Sequence, residues 1–360
     1  MSELTKARNG RSRGPTMLDV GRLAGVSHQT VSRVLNGDPA VGPELLNRVQ
    51  EAIKILGYTR NTAARVLASR RSMSLGVVTY GLAQHGPSVA LIGIADAARQ
   101  LDYATSLVTL AEVDRAVVQD ALDHLIALSV DGIVVVAPVS AVSDVVRSLT
   151  ATVPLVCFEC GPTNSETSVS INEALGARLA TEHLLELGHA TVTHVSGPEG
   201  WLGTEQRIAG WRAALLAANV PPPEPVAGDW SAASGYRAGR QIARDASVTA
   251  VFVANDQMAL GVLQALHEGG RRVPQDVSVV GFDDIPECAF YKPALTTVRL
   301  DFAELGRRCV ARLMDHIRGT AAPPDPSLTP ELVVRASAAA PAGRTEARRT
   351  RARQAIAPSA

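Results

Sequence analysis

The sequence predicts an α/β protein in which a small all-α unit precedes a two-lobed body of doubly wound parallel sheets. Two observations lead to this prediction. Residues 16–60 contain short amphipathic helical patterns, whereas residues 73–340 alternate apolar strand-like runs with amphipathic helical patterns. The chain has 360 residues, which is too long for one ordinary domain and leaves the body enough core for two lobes.

Charge is distributed unevenly along the chain, although the formal net charge is zero. Lys and Arg outnumber Asp and Glu by twelve to five in residues 1–71, whereas acids outnumber bases by 29 to eighteen in residues 72–340. A basic unit on an acidic body is typical of a DNA-binding module joined to a module that does not bind DNA. The predicted parts are a disordered arm (1–15), a helix-turn-helix headpiece (16–60), a linker (61–72), the body (73–340) and a disordered basic tail (341–360).

Residues 16–37 predict two short helices with a tight turn between them. Thr16 and Asp19 have the spacing of a capping box at the start of the first helix. Gly25 ends that helix, and Ser27 is in position to cap the second one. The side chains predicted to face inward are those of Val20, Leu23, Ala24, Val31, Val34 and Leu35.

Polar side chains remain on the outer face of the second helix. Gln and Arg read adenine and guanine edges bidentately in the major groove, and the start of a recognition helix reaches the bases first. Ser, Thr and the helix N-terminus suit phosphates. The candidate DNA contacts are Ser27, His28, Gln29, Thr30, Ser32, Arg33 and Asn36. The alternative is an ordinary helical hairpin whose polar face is solvated.

A third helix is predicted over residues 43–56, and a basic segment, GYTRNTAARVLASRRS, follows it at 57–72. This segment has too few apolar side chains for a core of its own, so it becomes helical only when packed against a partner and DNA. The stretch AGVSHQTVSRVLNG, together with this segment, resembles the LacI family of bacterial transcriptional regulators.

The resemblance implies a periplasmic-binding-protein-like body and a hinge helix within residues 61–72. In the family, paired hinge helices enter the minor groove at the operator centre, and a leucine wedges a base step open. The residues that match the hinge positions are Asn61, Ala64 and Leu67, of which Leu67 matches the wedge. The alternative is a plain linker with one buried Leu.

The body has a regular order of strand-like and helical patterns. The strand-like runs are 75–80, 105–110, 132–138, 154–159, 192–196, 248–255 and 277–283. Helical patterns include 174–187, 206–218, 256–267 and 302–317. Cys157 and Cys160 form a CxxC that we expect to consist of thiols, and His189 and His194 flank a strand and are interpreted as structural.

Polar side chains end several of these strands, which is where parallel sheets bind ligands. Glu159, Asn255 and Asp283 occupy such ends, Arg207 is predicted to open a helix after a Gly-Pro-rich loop, and Trp230 lies in GDWS. A carboxylate, an amide, a guanidinium and an indole suit a sugar-sized polyol. Two further acids, Asp256 and Asp284, are interpreted as helix N-caps or loop acids. His85, in a Gly-Pro loop, is a possible cleft residue.

The resemblance to the LacI family extends into the body through HGPS, IAGW, GDWSAASGY, VANDQMALG, VVGFDD and LTTVRLDF. It implies that the sugar-contacting positions are Arg207, Asn255, Asp283, Trp230 and Phe302. At three other positions the chain departs from the pattern. Glu159 stands where an Asp is expected, Val136 where an Asn is expected and Leu300 where a Gln is expected, which leaves the identity of the sugar open.

The sequence contains no GxGxxG, no Walker-type GxxxxGK[ST] and no metal-ligand cluster, so we predict no enzyme, cofactor or bound metal. It also lacks an apolar run long enough for a membrane span and an apolar signal-peptide core, so a cytoplasmic location is expected. A periplasmic solute-binding protein would share the body but not the basic headpiece.

The resemblance to the LacI family implies a transcriptional repressor that binds a palindromic operator as a homodimer and is released by a galactoside-like inducer. A regulator whose ligand is a purine-like corepressor remains the alternative.

Overall fold

The computed structural model describes residues 15–35, 38–58, 71–140, 142, 153–158, 167–320 and 326–342. It divides the chain into two units, Met1–Ser72 and Met73–Ala360, which we call the headpiece and the body. Several predicted features lie outside the described residues: Asn36, Asn61, Ala64, Leu67, Glu159, Cys160, the N-terminal arm up to residue 14 and the basic tail from residue 343.

The headpiece consists of α1 (Met17–Ala24), α2 (His28–Leu35) and α3 (Pro43–Leu56). The predicted capping box is confirmed, because the Asp19 N–H donates to Thr16 Oγ1 at 3.3 Å and the Thr16 N–H donates to Asp19 Oδ2 at 2.9 Å. The Thr30 N–H donates to Ser27 Oγ at 3.2 Å at the start of α2, as the sequence predicts. Both helix starts are therefore capped by short polar side chains.

A small apolar core joins the three helices. Its buried members are Val20, Ala24, Val31, Val34, Val49, Ala52 and Tyr58. The prediction that Leu23 faces inward is wrong, since Leu23 is 50% exposed. Val20, Gly21 and Ala24 form the buried face of α1. Successive residues of an α-helix are rotated by roughly 100°, which places Leu23 about 100° away from the centre of this buried face. Its side chain therefore points towards solvent.

The body alternates strands and helices in nearly the predicted order. Its strands are β1 (Ser74–Tyr80), β2 (Ala104–Leu110), β3 (Gly132–Val136), β4 (Leu155–Phe158), β5 (Ser168–Val169), β6 (Thr193–Ser196), β7 (Val226–Ala227), β8 (Ala250–Val253), β9 (Ser278–Val280), β10 (Thr297–Arg299) and β11 (Glu331–Val333). Its α-helices are α4 (His85–Gln100), α5 (Arg115–Ala127), α6 (Glu173–Glu186), α7 (Leu202–Ala217), α8 (Ala232–Arg244), α9 (Asp256–Glu268) and α10 (Phe302–Arg318). A 3-10 helix spans Pro286–Phe290.

Two parallel sheets organise the body. The first has the strand order β2-β1-β3-β4-β5 and the second has the order β7-β6-β8-β9. Helices α4 and α10 cover one face of the first sheet and α5 covers the other. Helices α6 and α7 cover one face of the second sheet, while α8 and α9 cover the other. This confirms the predicted α/β architecture with a doubly wound sheet in each lobe.

The chain returns to the first lobe after completing the second sheet. Helix α10 follows β9 and β10 in sequence, yet it packs against α4 and the first sheet. Strands β10 and β11 form an antiparallel pair, which the sequence analysis did not predict. These strands have three residues each, and a run that short does not show a period of two clearly.

Three local expectations are corrected by the structure. His85 is the first residue of α4 rather than part of a loop. Arg207 lies in the second turn of α7 rather than at its start. Cys157 is disulfide-bonded rather than a free thiol. None of the described helices combines the length and apolar character that a bilayer span requires.

The packing of α4 against α10 is unusually close. A Cβ atom at Gly93 would lie 2.2 Å from the carbonyl oxygen of Ala303, and one at Gly306 would lie 2.2 Å from the carbonyl oxygen of Ala90. The backbones of the two helices therefore touch where only glycine fits. Because α4 begins at His85 and α10 begins at Phe302, this packing fixes the distance between those two side chains.

We expect Gly93→Ala to lower the free energy of unfolding by about 1–3 kcal/mol, since the added methyl group forces the two helix backbones apart. Urea unfolding followed by circular dichroism measures this effect. The control is Ile92→Ala on the same helix, where the side chain is 61% exposed and the change should stay within about 0.5 kcal/mol. Equal losses in the two variants would contradict the close helix packing.

Candidate ligand pocket and nucleic-acid interface

A pocket lies where the carboxyl ends of the two sheets face each other. Residues that follow β1, β3, β6, β7, β8 and β9 line it, together with the last residue of β4. About 450 Å³ of space, part of it open to solvent, lies between these residues. The lining residues used below are His85, Phe158, Glu173, Trp201, Gly203, Arg207, Trp230, Asn255, Asp283 and Phe302.

The structure brings five of the six predicted effector residues together in this pocket. These are Arg207, Trp230, Asn255, Asp283 and Phe302. The sixth, Glu159, lies outside the described residues. Two positions where the sequence departs from the family pattern, Val136 and Leu300, are buried and do not line the pocket. The contact of the five side chains with a ligand remains a prediction.

A buried cluster of three charged side chains forms the polar end of the pocket. Arg207 Nε donates to Glu173 Oε2 at 2.8 Å, and Arg207 Nη2 donates to Asp283 Oδ1 at 3.4 Å. Arg207 Nη1 donates to the carbonyl oxygen of Ala254, and the guanidinium lies 4.1 Å from the ring centroid of Phe282. Burial raises the pKa of Asp283 well above its usual value, while Arg207 opposes that rise.

Aromatic side chains form the other walls. Trp201 and Trp230 meet edge to face with their ring centroids 5.7 Å apart. Phe302 lies 6.5 Å from Phe158 and 6.0 Å from His85, measured between ring centroids. Burial lowers the pKa of His85, so this ring is uncharged near neutral pH. The pocket thus offers flat apolar faces beside a charged end.

Two pocket residues have a left-handed backbone. Trp230 has φ of 69° and Asp283 has φ of 104°, a region that bulky residues rarely adopt. Asn255 Nδ2 donates to the Trp230 carbonyl at 3.0 Å, and the Asp283 N–H donates to the Val298 carbonyl at 2.8 Å. These bonds hold both residues in their strained conformations. Trp230 Nε1 is buried and has no hydrogen-bond partner among the described residues.

Asn255 supports the pocket as well as lining it. Its Oδ1 accepts a hydrogen bond from the Met258 N–H at 2.9 Å and caps α9. Its Nδ2 donates to the main chain of Trp230. The side chain therefore joins the start of α9 to the loop that carries the indole.

The structure shows different contacts for the two acids that we interpreted from the sequence as helix N-caps or loop acids. The cap interpretation is wrong for Asp256, whose carboxylate accepts from Thr297 Oγ1 at 2.6 Å and from the Ile285 N–H at 3.0 Å. Burial raises the pKa of Asp256 to about 6. Asp284 is a loop acid as predicted, with ion pairs to Arg299 at 2.8 Å and Arg335 at 2.6 Å.

Sequence reasoning missed two residues that line the pocket, Glu173 and Trp201. Glu173 is the first residue of α6 and reads as an ordinary acid in the first turn of a helix. Trp201 immediately precedes α7 in a Gly-rich loop that ends no apolar strand directly. The only sequence signal was a large aromatic residue in a glycine-rich loop after a strand, which is weak by itself.

The headpiece presents the predicted reading face to solvent. Ser27, His28, Gln29 and Arg33 are exposed, whereas Thr30 and Ser32 are half-buried. Arg33 Nε lies 2.8 Å from Asp38 Oδ2, and the arginine side chain is 54% exposed. A surface ion pair of this kind is weak, so it leaves the guanidinium available for another acceptor.

Comparison with known proteins agrees with both units. Residues 16–61 match the family "Bacterial regulatory proteins, lacI family", and residues 181–338 match the family "Periplasmic binding protein-like domain". The lactose operon repressor of Escherichia coli (strain K12) is 36% identical over 331 residues, which cover 91% of this chain and 91% of that protein.

Two solved structures resemble the chain along most of its length. The lac repressor dimer bound to operator and the anti-inducer ONPF superposes with a TM-score of 0.81 at 34% identity, covering 91% of this chain and 100% of that one. The complex of the transcriptional regulator CelR with cellobiose gives a TM-score of 0.67 at 32% identity, covering 90% and 99%. Sequence and structure therefore agree that the chain belongs to the LacI family of bacterial regulatory proteins.

Proposed function

We propose that this LacI-family repressor binds a palindromic operator as a dimer and releases it when a small sugar occupies the pocket between the two lobes. The observation that carries the proposal is the meeting of a charged cluster and four aromatic walls at the carboxyl ends of both sheets. An exposed recognition helix in the headpiece supplies the DNA-reading side chains.

The pocket chemistry favours a sugar over a purine. Carboxylate oxygens of Glu173 and Asp283 accept hydrogen bonds, and sugar hydroxyls donate them. The indole rings of Trp201 and Trp230 suit the C–H faces of a pyranose. The lac repressor structure holds the anti-inducer ONPF and the CelR structure holds cellobiose. A galactoside or a related glycoside is our proposed ligand.

Release of DNA follows from the position of the pocket. Residues of both lobes line it, so a bound sugar favours one arrangement of the lobes over another. If that arrangement separates the paired hinge segments, the segments lose mutual packing and DNA affinity falls without contact between sugar and DNA. Under this proposal the sugar acts as an inducer, and a purine-like corepressor is the second candidate.

The proposal assigns no reaction to the pocket, in keeping with the relatives it matches, which are transcriptional repressors. It also assigns the protein to the cytoplasm, because a repressor has to reach the chromosome.

The first prediction concerns the pocket. Asp283→Asn should still fold and bind operator, with a lower free energy of unfolding because Arg207 loses a charged partner. It should weaken sugar binding ten- to hundredfold, since a carboxylate acceptor with about 1–3 kcal/mol of hydrogen-bond energy is lost. Fluorescence anisotropy of labelled operator, titrated with galactosides, glucosides and purines, measures release. Asp276→Asn is the control, because Asp276 pairs with Arg272 on the surface. A normal response in Asp283→Asn, or a response to purines alone, would exclude the proposed contact.

The second prediction concerns base reading. Arg33→Ala should lose about 1–3 kcal/mol of preference for the operator over random DNA, because Arg33 is proposed to make a bidentate base contact. Arg22→Ala is the matched control, since Arg22 is also an exposed headpiece arginine paired with an aspartate, at 3.5 Å from Asp19. Arg22→Ala should weaken binding to all DNA sequences alike and reduce the dependence of DNA affinity on salt concentration. Full operator preference in Arg33→Ala would show that the helix is oriented differently.

The third prediction concerns assembly. A palindromic operator is read by a two-fold dimer. Residues 341–360 contain no leucine and therefore no leucine heptad of the kind that joins dimers into tetramers. Light scattering should return twice the chain mass of 37.8 kDa, and a stable tetramer would contradict the expectation.

A further inference from the structure

We infer that Glu173 is a further ligand-contacting residue of the pocket and that it determines specificity together with Asp283. The two carboxylates would accept hydrogen bonds from two hydroxyl groups of one diol. This inference rests on the proposed binding of a sugar, and it names the part of the sugar that is recognised.

Glu173 has an unused acceptor inside the pocket. The residue is 2% exposed and lines the pocket. Its Oε2 accepts from Arg207 Nε at 2.8 Å. Among the described residues, none donates a hydrogen bond to its other oxygen, Oε1. An oxygen of a pocket-lining carboxylate that accepts from no described donor can accept a hydrogen bond from a ligand hydroxyl.

The neighbouring helix leaves room for this carboxylate. A Cβ atom at Gly203, the second residue of α7, would lie 2.7 Å from Glu173 Oε2. A side chain at position 203 would therefore push the carboxylate away from Arg207. The start of α7 thus accommodates the carboxylate at the start of α6, and both face the pocket.

Arg207 holds the two carboxylates in a fixed relation. Its Nε contacts Glu173 and its Nη2 contacts Asp283 at 3.4 Å. The planar guanidinium donates from different nitrogens in a rigid geometry, so the two acceptors are preorganised relative to each other. Two neighbouring hydroxyls of a neutral polyol are donors for such a pair.

The same arrangement disfavours anionic ligands. The acidic side chains of Glu173 and Asp283 already engage the single guanidinium of Arg207 in a buried site. A uronate or a sugar phosphate would place a further negative charge beside these acids, and burying a charge without a partner costs energy. We therefore assign the pocket to neutral sugars that carry a diol.

The test is calorimetric titration of the full-length protein and of Glu173→Gln. The probes are methyl β-galactoside, its monodeoxy analogues, methyl β-glucoside, galacturonate and hypoxanthine. Glu173→Gln should bind the best neutral glycoside at least tenfold more weakly than wild type. It should bind one monodeoxy analogue as wild type does, because that analogue lacks the hydroxyl that Glu173 contacts. Wild type should bind galacturonate at least tenfold more weakly than the neutral sugar.

A role of Glu173 in positioning Arg207 alone predicts a different pattern. The affinity of Glu173→Gln for all neutral glycosides and all deoxy analogues would then fall by the same factor, and that result would overturn the inference. Glu205→Gln is the matched control, because Glu205 is an exposed acid in the first turn of α7 outside the pocket. It should bind every probe like wild type.

Gly203→Ala provides a second variant that keeps the charge of Glu173 but displaces its carboxylate. It should bind the parent glycoside more weakly than wild type but bind that one deoxy analogue with wild-type affinity. This result would test the contact of Glu173 even if Glu173→Gln fails to fold. Binding of every probe with wild-type affinity by Gly203→Ala would contradict the inference.

The outcomes separate this inference from the proposed function. If sugars release the operator and Glu173→Gln binds them as tightly as wild type, only the role of Glu173 fails. If hypoxanthine alone binds, or no probe binds, the sugar assignment and the diol contact fail together.

Discussion

The ligand end of the body depends on one buried guanidinium. Arg207 on α7 pairs with Glu173 at the start of α6 and with Asp283 after β9, and it donates to the carbonyl of Ala254 after β8. Arg207 is 6% exposed. A buried charge of this kind requires partners, because removing one of them leaves an unpaired charge in the interior, which is costly. These elements of the second lobe therefore have to meet in one arrangement. Because the same groups line the pocket, the requirement that stabilises this lobe also shapes the proposed binding site.

Strain in the pocket is balanced by hydrogen bonds behind it. Trp230 and Asp283 each adopt a left-handed backbone, a conformation that costs about 1–3 kcal/mol for each residue. Asn255 holds the Trp230 carbonyl, and the ion pairs of Asp284 with Arg299 and Arg335 anchor the turn that follows Asp283. Asn255 and Asp284 thus help to determine where the indole of Trp230 and the carboxylate of Asp283 point. Such support is expected where backbone strain persists at a functional site.

The sequence was sufficient for the sheets and for part of the pocket. Buried strands of four or more residues, such as β3 and β8, were visible as apolar runs, and the rule that ligands bind at strand ends identified Asn255 and Asp283 as candidates. Strands of two residues, such as β5 and β7, carry no detectable period. Glu173 and Trp201 could not be found because their importance comes from meeting Arg207 and Trp230 across loops. Leu23 was misassigned because the centre of the buried face of α1 is set by the helices packed against it.

The distribution of polar groups gives the two lobes different roles in the proposed complex. Glu173, Arg207 and Asp283 all belong to the second lobe, whereas the described residues that line the pocket from the first lobe are largely rings such as those of Phe158 and Phe302. Val136 and Leu300, the positions where the family pattern expects polar groups, are apolar and buried. Hydrogen bonds are directional and apolar contacts are not. The second lobe would therefore select the hydroxyl pattern of a sugar. The described residues of the first lobe would add mainly apolar contacts, so differences between glycosides would arise from the charged cluster around Arg207 and from the predicted contact of Glu159.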